Sequence, residues 1–398
     1  MAWTRHLFTE KKIAAIQISS VILMLLSFYM DERFLFFAGS VAFIAITFNQ
    51  LYEKRAGEGL EVEVERKRDR YFVDERGEWR LVFRNNGWPI LNGEAKVIFD
   101  NAVEPMPAGK TSGKTLNEVT VPFSIMRGES KELSIPFLTR KRGLSKIRRL
   151  ELTIPNLFGF GFTLLEYKLP LSQEVLVYPK RMQVAGKKEM ITDRPGSQIS
   201  SFSLYEDVLS PAGTREYSIQ DGFYRIHWKA SAKIGKLQTK LFDRVSEKGM
   251  MISINVAERH SPSPYLEELL ESSADLVYFA CSRHIPVSLC MNIRNAGDVP
   301  FYYVPPGEGR EQLQKIYELL ALASAENATL PYDKMMSYVE KHLHLLPTLI
   351  HGGEMTEQAY CRFGGMQKRG IALYQLKVEN HHSTLGILRL DDEGRVPS

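Results

Sequence analysis

Two apolar runs near the N-terminus constrain the fold of this chain more than any other feature. They cover residues 13–30 and 34–52, and only three polar residues separate them. Each run lacks a charged side chain and approaches the roughly 20 apolar residues that a helix needs to cross the hydrocarbon core of a bilayer. The sequence therefore predicts a transmembrane helical hairpin within residues 1–57.

A cleaved signal peptide and a pair of buried core helices are the two alternatives to this interpretation. The first run lacks a small-x-small cleavage site at its end, and a second apolar run follows at once. Neither run carries the polar stripe of a helix that packs on the surface of a soluble protein. These features favour the membrane anchor.

The charges that flank the two runs predict the orientation of the anchor. Basic residues are retained on the cytoplasmic side of a membrane. The loop between the runs holds only Arg33, whereas both outer flanks are basic. We therefore expect a multi-pass protein of the cell membrane with both termini in the cytoplasm. The flanking basic residues are Arg5, Lys11, Lys12, Lys54, Arg55, Arg66, Lys67, Arg68 and Arg70.

The charge of the chain as a whole is balanced. Lysine and arginine are interleaved with aspartate and glutamate, and the formal net charge is only +4. No nucleic-acid partner is expected from this distribution. Cys281, Cys290 and Cys361 lack the spacing of a metal site or a disulfide framework. We expect them to be small buried hydrophobic residues in a reducing compartment.

Residues 58–180 carry the pattern of a β domain. Short runs such as LEVEVE, WRLVFRNNGWPI and EAKVIFD alternate between apolar and polar residues, and Gly, Pro and Asn separate them. A period near two is typical of half-buried strands, and NNG, PAGK and KRG predict turns. A β-sandwich of immunoglobulin-like size fits this pattern best.

Residues 248–380 alternate between strand and helix patterns. MMISINV, PVSLCMNI and PTLIHGG predict strands, and YLEELLESSADLVYFACSRH and EQLQKIYELLALAS predict helices. This alternation predicts an α/β domain with a mostly parallel, doubly wound sheet, whose ligands sit beyond the carboxyl ends of the strands. Those ends lie at residues 255–264, 292–298 and 351–356. Residues 381–398 are predicted to be a C-terminal tail.

The intervening residues 181–247 contain a dense polar and aromatic stretch, AGTREYSIQDGFYRIHWKASAKIGKLQTK. It resembles the signature of the DUF58 family, in which G-x-R-E-Y and an acidic residue precede R-x-I-H-W-K-A-S-A. The segments KRGLSKIRRLELTIPNLFGFG and VLVYPK and the N-terminal hairpin are also similar to family members. The candidate site consists of the signature residues Arg215, Glu216, Tyr217, Asp221, Arg225, His227, Trp228, Lys229 and Ser231.

The resemblance implies a von Willebrand factor A-like domain at the C-terminus. It also implies association with MoxR-type AAA ATPases and transglutaminase-like membrane proteins, but no established biochemical activity. We therefore expect a membrane-anchored, cytosol-facing adaptor or assembly factor of a bacterial type that binds protein partners. No cofactor is expected.

The implied A-like domain raises the question of a metal site. Such domains hold a divalent cation through D-x-S-x-S after the first strand, because carboxylate and hydroxyl oxygens suit a hard cation. Here Asn255, Ala257 and Arg259 occupy those positions, so the carboxylate and both hydroxyls are missing. Glu354 follows a later predicted strand and would supply a single carboxylate at the edge of this site. We expect a degenerate site without a metal.

Catalysis is one of three roles considered for the signature residues. A membrane-bound hydrolase or nuclease would use Glu216 or Asp221 as general acid or base, His227 as proton shuttle and Lys229 or Arg225 as electrostatic stabiliser. No activated nucleophile, phosphate-binding loop or metal-ligand spacing accompanies them. Catalysis is therefore the least favoured role, although the sequence does not decide whether the protein is an enzyme.

An internal brace and a docking surface are the other two roles. As a brace, Trp228 and Ile226 would pack inward, while Arg225, Asp221 and Glu216 would form an ion-pair network. As a docking surface, the same aromatic and arginine residues would contact a partner, since these types are enriched at binding hot spots. The sequence leaves these two roles open.

Overall fold

The structure, a computed structural model, describes most of the chain in eleven ranges. Two compact units divide the chain, Met1–Tyr178 and Pro179–Ser398. The division falls close to the predicted end of the β domain at residue 180. The described ranges are 2–9, 11–64, 67–106, 117–159, 161–188, 190, 206–218, 221–244, 249–258, 261–379 and 381–388.

The predicted helical hairpin is present in the first unit as α1 (Lys11–Met30) and α2 (Arg33–Arg55). Both helices are long and apolar enough to span a membrane. Their large apolar side chains, such as Leu25, Phe28 and Phe34, are exposed. The core helix of a soluble protein would instead bury one apolar face.

The rest of the first unit, which we call the β unit, consists of two sheets. One sheet has the order β1-β10-β9-β11-β3, with β5 beside β9 and β7 beside β5, and the other has the order β2-β4-β8-β6. The strands are β1 (Trp3–Thr9), β2 (Leu60–Glu63), β3 (Arg68–Phe72), β4 (Arg76–Asn85), β5 (Ile90–Phe99), β6 (Val103–Pro105), β7 (Glu118–Ile125), β8 (Ser130–Thr139), β9 (Gly143–Pro155), β10 (Gly161–Tyr167) and β11 (Glu174–Tyr178).

Aromatic side chains join the two sheets face to face. Trp79 on β4 stacks on Phe99 of β5, with ring centroids 6.2 Å apart. Phe83 on β4 meets Phe123 of β7 at 4.7 Å. All four belong to one buried cluster that draws residues from both sheets. The unit is therefore a β-sandwich, which confirms the fold predicted from the alternating runs.

The strand β1 precedes the helical hairpin, where the sequence predicted only a hairpin over residues 1–57. It pairs antiparallel with β10, and the indole of Trp3 donates a hydrogen bond to the carbonyl of Leu60 at 2.8 Å. The stretch WTRHLFT lacks a period-two alternation, so it carries no local strand signal. The strand forms because the exposed edge of β10 supplies its hydrogen-bond partners.

The second unit contains a two-stranded sheet that carries the signature residues. Its strands are β13 (Glu206–Glu216) and β14 (Gln238–Arg244), and the short helix α3 (Trp228–Ile234) lies between them in sequence. We call residues 206–244 the signature module. The strand β12 (Val184–Ala185) precedes it.

The main sheet of the α/β part of the second unit has the order β12-β22-β21-β20-β15-β18-β19, and β16 pairs with β17 in a separate small sheet. The four strands β21, β20, β15 and β18 are parallel, which confirms the predicted mostly parallel sheet. Its elements are β15 (Met250–Ile254), β16 (Ala257–Glu258), β17 (Ser261–Pro262), α4 (Leu266–Ser282), β18 (Val287–Arg294), β19 (Phe301–Gly307), α5 (Gly309–Leu322), α6 (Tyr332–His342), β20 (Thr348–Gly352), α7 (Glu357–Lys368), β21 (Ala372–Glu379) and β22 (His382–Ile387).

Helices cover both faces of this sheet. His351 of β20 contacts Tyr332 of α6 and Phe363 of α7. A Cβ on the next residue, Gly352, would instead meet Leu269 of α4. Neighbouring residues of a strand point to opposite faces, so α4 lies on the face opposite α6 and α7. The sheet is doubly wound, as predicted.

Two predicted boundaries are wrong. Residues 381–398 were expected to be a tail, but β22 pairs with β21 and buries Ser383 and Leu385. Residues 181–247 were expected to be separate, but β12 pairs with β22. Both strands form at an open sheet edge, which supplies partners that local sequence does not show. The rest of the predicted tail, residues 389–398, lies outside the described residues.

Cys361 also departs from expectation. It is exposed on α7, whereas Cys281 and Cys290 are buried as predicted. Burial raises the pKa of the Cys281 thiol to about 11 and that of the Cys290 thiol to about 12. These two thiols therefore stay protonated at neutral pH.

Candidate functional site

The signature module is held together by the antiparallel pairing of β13 with β14. Arg215 pairs with Thr239, and Glu216 pairs with Gln238. The chain then leaves the sheet, forms the 3₁₀ turn Phe223–Arg225 and enters α3. The signature residues thus lie at one end of a short hairpin and on the segment that connects its strands.

Asp221 ties this connecting segment to the strands. Its carboxylate pairs with the guanidinium of Arg215 and accepts hydrogen bonds from the backbone N–H of Ser218 at 2.9 Å and the hydroxyl of Thr239 at 3.1 Å. The hydroxyl of Tyr217 donates to the Asp221 carbonyl at 3.2 Å. The pKa of the Asp221 carboxyl lies below its usual value. The main cause is the hydrogen bond from the Ser218 N–H, and the second is the hydrogen bond from the Arg215 guanidinium. Asp221 therefore acts as a charged brace.

His227 and Ser231 anchor α3 to β14. The Nδ1 atom of His227 accepts a hydrogen bond from the N–H of Ala230 at 3.1 Å, so His227 caps the helix. The hydroxyl of Ser231 donates to the His227 carbonyl at 3.0 Å and accepts from the N–H of Gln238 at 2.8 Å. Ile226 is buried beside them. The Nδ1 atom of the His227 imidazole is therefore occupied by the helix cap.

Trp228 points away from this interior, whereas the internal-brace role required it to pack inward. Its side chain is 66% exposed, and Phe223 and Tyr224 are 74% and 79% exposed. The helix α3 has only seven residues and contacts β14 through Ser231. Only the side of α3 that carries Ser231 is covered by β14, and Trp228 lies on an uncovered side. We call Phe223, Tyr224 and Trp228 the aromatic face; Lys229 beside it is also exposed.

The internal-brace role predicted one ion-pair network of Arg225, Asp221 and Glu216. Among the described residues, Glu216 and Asp221 instead belong to two separate ion pairs. Glu216 pairs with Lys236 at 3.0 Å, while Asp221 pairs with Arg215. The guanidinium of Arg225 packs over the ring of Tyr224 at 5.7 Å. The two acids thus have separate cationic partners.

Sequence reasoning missed several members of this site. Phe223 and Tyr224 precede Arg225 as a GFYR run, and two adjacent aromatic residues after a glycine were a usable signal. Thr239 and Lys236 carried no such signal, because their contacts with Asp221 and Glu216 cross the hairpin. Only the pairing register brings them to the signature residues.

The carboxyl ends of the parallel strands form a second candidate region. A cleft of about 750 Å³ opens there, lined among others by Asn255, Asn292, Asp333 and Glu354. It lies where β15 and its neighbours β18 and β20 end, the place at which doubly wound sheets bind ligands. The sequence predicted this edge correctly.

Both polar atoms of the Asn255 side chain form hydrogen bonds within the protein. Its Oδ1 atom accepts from the Nδ2 of Asn292 at 2.9 Å and from the N–H of Ala257 at 3.2 Å, and its Nδ2 donates to the Glu354 carbonyl at 2.8 Å. Asn255 therefore joins two strand ends and a loop. Arg259, the third residue of the predicted degenerate metal site, lies outside the described residues. Among the residues described, no group of three or more His, Cys, Asp or Glu is placed to hold a metal.

A buried polar chain runs beneath this cleft. The hydroxyl of Ser253 lies 2.8 Å from that of Tyr332, which lies 2.7 Å from Nδ1 of His351. The Nε2 atom of His351 is 3.2 Å from the Gly353 carbonyl. Burial lowers the pKa of His351 to about 4, so the imidazole is neutral at physiological pH. No local sequence pattern marks Ser253, Tyr332 and His351, because their contact spans two strands and a helix.

No protein-family model matches the chain, and no curated protein matches it. A non-cellulosomal cohesin from the archaeon Archaeoglobus fulgidus is 9% identical over 34% of this chain and 99% of its own, with a TM-score of 0.22. The CARDB domain of a Pyrococcus furiosus protein is 18% identical over 30% and 91%, with a TM-score of 0.18. Spo0M, a sporulation control protein from Bacillus subtilis, is 12% identical over 30% and 49%, with a TM-score of 0.17. Likenesses at these TM-scores carry no argument about fold or function.

Proposed function

We propose that this chain is a membrane-anchored, cytosol-facing adaptor or assembly factor that binds a protein partner through the aromatic face of the signature module. The observation that carries the proposal is the exposure of Phe223, Tyr224 and Trp228 on a segment where Asp221 and His227 are already engaged in local hydrogen bonds. The three lie within six residues of one another, and clustered exposed aromatic side chains are typical of interaction sites. Tryptophan, tyrosine and arginine are also the residues that dominate binding hot spots.

The anchor in this proposal is the hairpin of α1 and α2, with both chain ends in the cytoplasm. The exposed apolar surfaces of the two helices and the basic residues on their outer flanks support it. A reporter enzyme fused after Ser398 tests the orientation. Cytoplasmic activity is expected, and periplasmic or extracellular activity would overturn it.

The partner in this proposal is a MoxR-type AAA ATPase, with a transglutaminase-like membrane protein as a further member of the assembly. Similarity to the DUF58 signature supports this choice. The order of the four parallel strands supports the assignment of the α/β part as von Willebrand factor A-like. With Asn255 bonded to Asn292 and to the Glu354 loop, this part serves as a platform for protein binding without a metal.

The test compares variants of the full chain in detergent for capture of the purified ATPase. Trp228→Ala and Tyr224→Ala are each expected to weaken capture by about 2 kcal/mol, roughly 30-fold in Kd. Ile387→Ala is the matched control, because Ile387 is an exposed apolar residue of β22 outside the signature module. It should bind like the parent chain.

Equal loss of capture in all three variants would point to general damage and count against the aromatic face. Unchanged capture in Trp228→Ala and Tyr224→Ala would remove the proposed docking site altogether. In that case assays of hydrolase and nuclease activity with Asp221→Asn and His227→Gln would become the next step, since these residues carry the catalytic alternative.

A further inference from the structure

The last turns of α2 are built into the β unit. Asn49 and Glu53 are buried there. The amide of Asn156 donates to the Glu53 carboxylate at 3.0 Å, and the N–H of Leu157 donates to the Asn49 side chain at 2.9 Å. These contacts begin at Asn49, in the last turn of the apolar run 34–52, and continue at Glu53 just beyond it. The β unit is therefore fixed to the end of the apolar run of α2.

The first helix also leaves the β unit without a linker. The strand β1 ends at Thr9, and α1 begins at Lys11. The apolar stretch Ile13–Met30 has 18 residues, which is about 27 Å of helix. The hydrocarbon core of a bilayer is about 30 Å thick. If this stretch spans the bilayer, no helix length remains to hold the β unit away from the membrane surface.

Exposed apolar side chains are gathered at this end of the β unit. Phe8 of β1 stacks on Phe162 of β10, with ring centroids 4.9 Å apart. Leu157 and Phe158 follow Asn156 in the loop after β9. The four apolar side chains are between 39% and 49% exposed. We call Phe8, Leu157, Phe158 and Phe162 the apolar rim.

The apolar rim is continuous with the exposed surface of the helices. Phe158 lines an apolar groove of about 170 Å³ together with residues of both helices. These residues lie near the start of α1 and in the middle and second half of α2, so Phe158 lies at the level of the predicted membrane span. The helix residues of the groove are Ile13, Ile16, Ala42, Ala45, Ile46 and Asn49.

We propose that the apolar rim inserts into the boundary between headgroups and acyl chains of the leaflet at which α1 and α2 enter the bilayer. The occupant of this surface is lipid, because the rim continues the lipid-facing surface of the helices. Phenylalanine and leucine side chains bind this boundary when they are buried about 5 to 10 Å into it. The β unit is then seated on the membrane as well as tethered to it. This inference rests on the proposed membrane anchor.

The test measures lipid contact at single labelled positions of the full chain in nanodiscs of phosphatidylcholine and phosphatidylglycerol. Cys361→Ser removes the exposed thiol, and buried Cys281 and Cys290 stay unlabelled. Phe158→Cys and Leu157→Cys then carry a bimane fluorophore. Nitroxide groups on the lipid acyl chains, near the carbonyl, quench bimane that touches them, and a water-soluble nitroxide reports exposure to solvent.

Two matched positions calibrate the result. Leu25→Cys lies in the second half of α1, inside the apolar stretch Ile13–Met30, and reports whether the anchor is inserted. Lys141→Cys lies just before β9, whose other end leads to the rim; the 13-residue strand places it about 40 Å away. The lipid nitroxide should lower the fluorescence at positions 158, 157 and 25 about twofold or more and leave position 141 unchanged.

The outcomes separate this inference from the anchor itself. Quenching at position 25 together with free access of the water-soluble nitroxide to positions 157 and 158 would overturn the inference and leave the anchor intact. Protection of 157 and 158 from both quenchers would also overturn it, because a protein partner or a second copy would then cover the rim. Lack of lipid quenching at position 25 would instead overturn the anchor, and the rim proposal with it.

Discussion

Two tryptophans distinguish the sandwich core from the signature module. Trp79 is fully buried between the two sheets and packs against Phe99 and Phe137. Trp228 begins a short helix and is mostly exposed. Both are large aromatic residues within patterned segments, so residue type alone did not separate them. What separates them is whether a second layer of structure covers the face on which they lie.

The largest effect is expected in the sandwich core. Trp79→Ala should lower the free energy of unfolding by about 3 to 5 kcal/mol, because it leaves a cavity between the sheets. Urea unfolding of the full chain in detergent measures the change. Trp79→Phe is the matched control. Since the buried indole N–H has no hydrogen-bond partner among the described residues, the phenyl ring should cost much less.

A loss from Trp79→Ala no larger than that from Phe223→Ala would contradict the contrast between the two regions. Phe223 is an exposed aromatic residue of the signature module.

Acid should destabilise the α/β part through His351. Its folded-state pKa of about 4 lies below the usual value of 6.5. Between these two pH values the imidazole of His351 is protonated in the unfolded chain but not in the folded chain. The free energy of unfolding therefore falls as pH drops from about 6.5 towards 4. The loss is on the order of 3 kcal/mol. Unfolding of the α/β part at several pH values measures it.

The matched pair for this prediction is His351→Gln and His344→Gln. His344 is exposed, so its removal should leave the pH dependence in place. Removal of His351 should flatten the dependence between pH 6.5 and 4. A slope that persists in His351→Gln would mean that other groups cause it.

A smaller effect is expected at the helix cap of the signature module. His227→Ala removes the acceptor for the N–H of Ala230 and should cost about 1 kcal/mol of local stability. The exchange rate of the Ala230 amide hydrogen should rise accordingly. His227→Asn keeps a capping acceptor and should exchange nearly as slowly as the parent. Fast exchange already in the parent would show that the cap does not persist in solution.

The smallest effect is expected at Trp228. Trp228→Ala should change the free energy of unfolding by no more than about 0.5 kcal/mol, since the side chain is already in solvent. The same urea unfolding experiment measures it beside Trp79→Ala. A loss comparable to that of Trp79→Ala would make the signature module an internal brace and would remove the basis for the aromatic face.

The sequence alone determined the features that depend on a short window of residues. Two uncharged apolar runs predicted α1 and α2, and alternating runs predicted the sandwich strands. The change to helix and strand alternation after residue 248 predicted the doubly wound sheet. Length and hydrophobic period are local properties, so one chain displays them in full. The sequence also showed directly that position 255 carries an asparagine in place of the first aspartate of the D-x-S-x-S pattern.

Tertiary structure decided the features that depend on distant residues. The strands β1, β12 and β22 exist because sheet edges offered them hydrogen-bond partners. Asp221 meets Arg215 and Thr239 only through the hairpin register, and Asn255 meets Asn292 only where two strands end together. Trp228 is exposed because nothing covers its side of α3 within the described residues of the module. Burial and pairing depend on which surfaces meet in space, and local patterns do not contain that information.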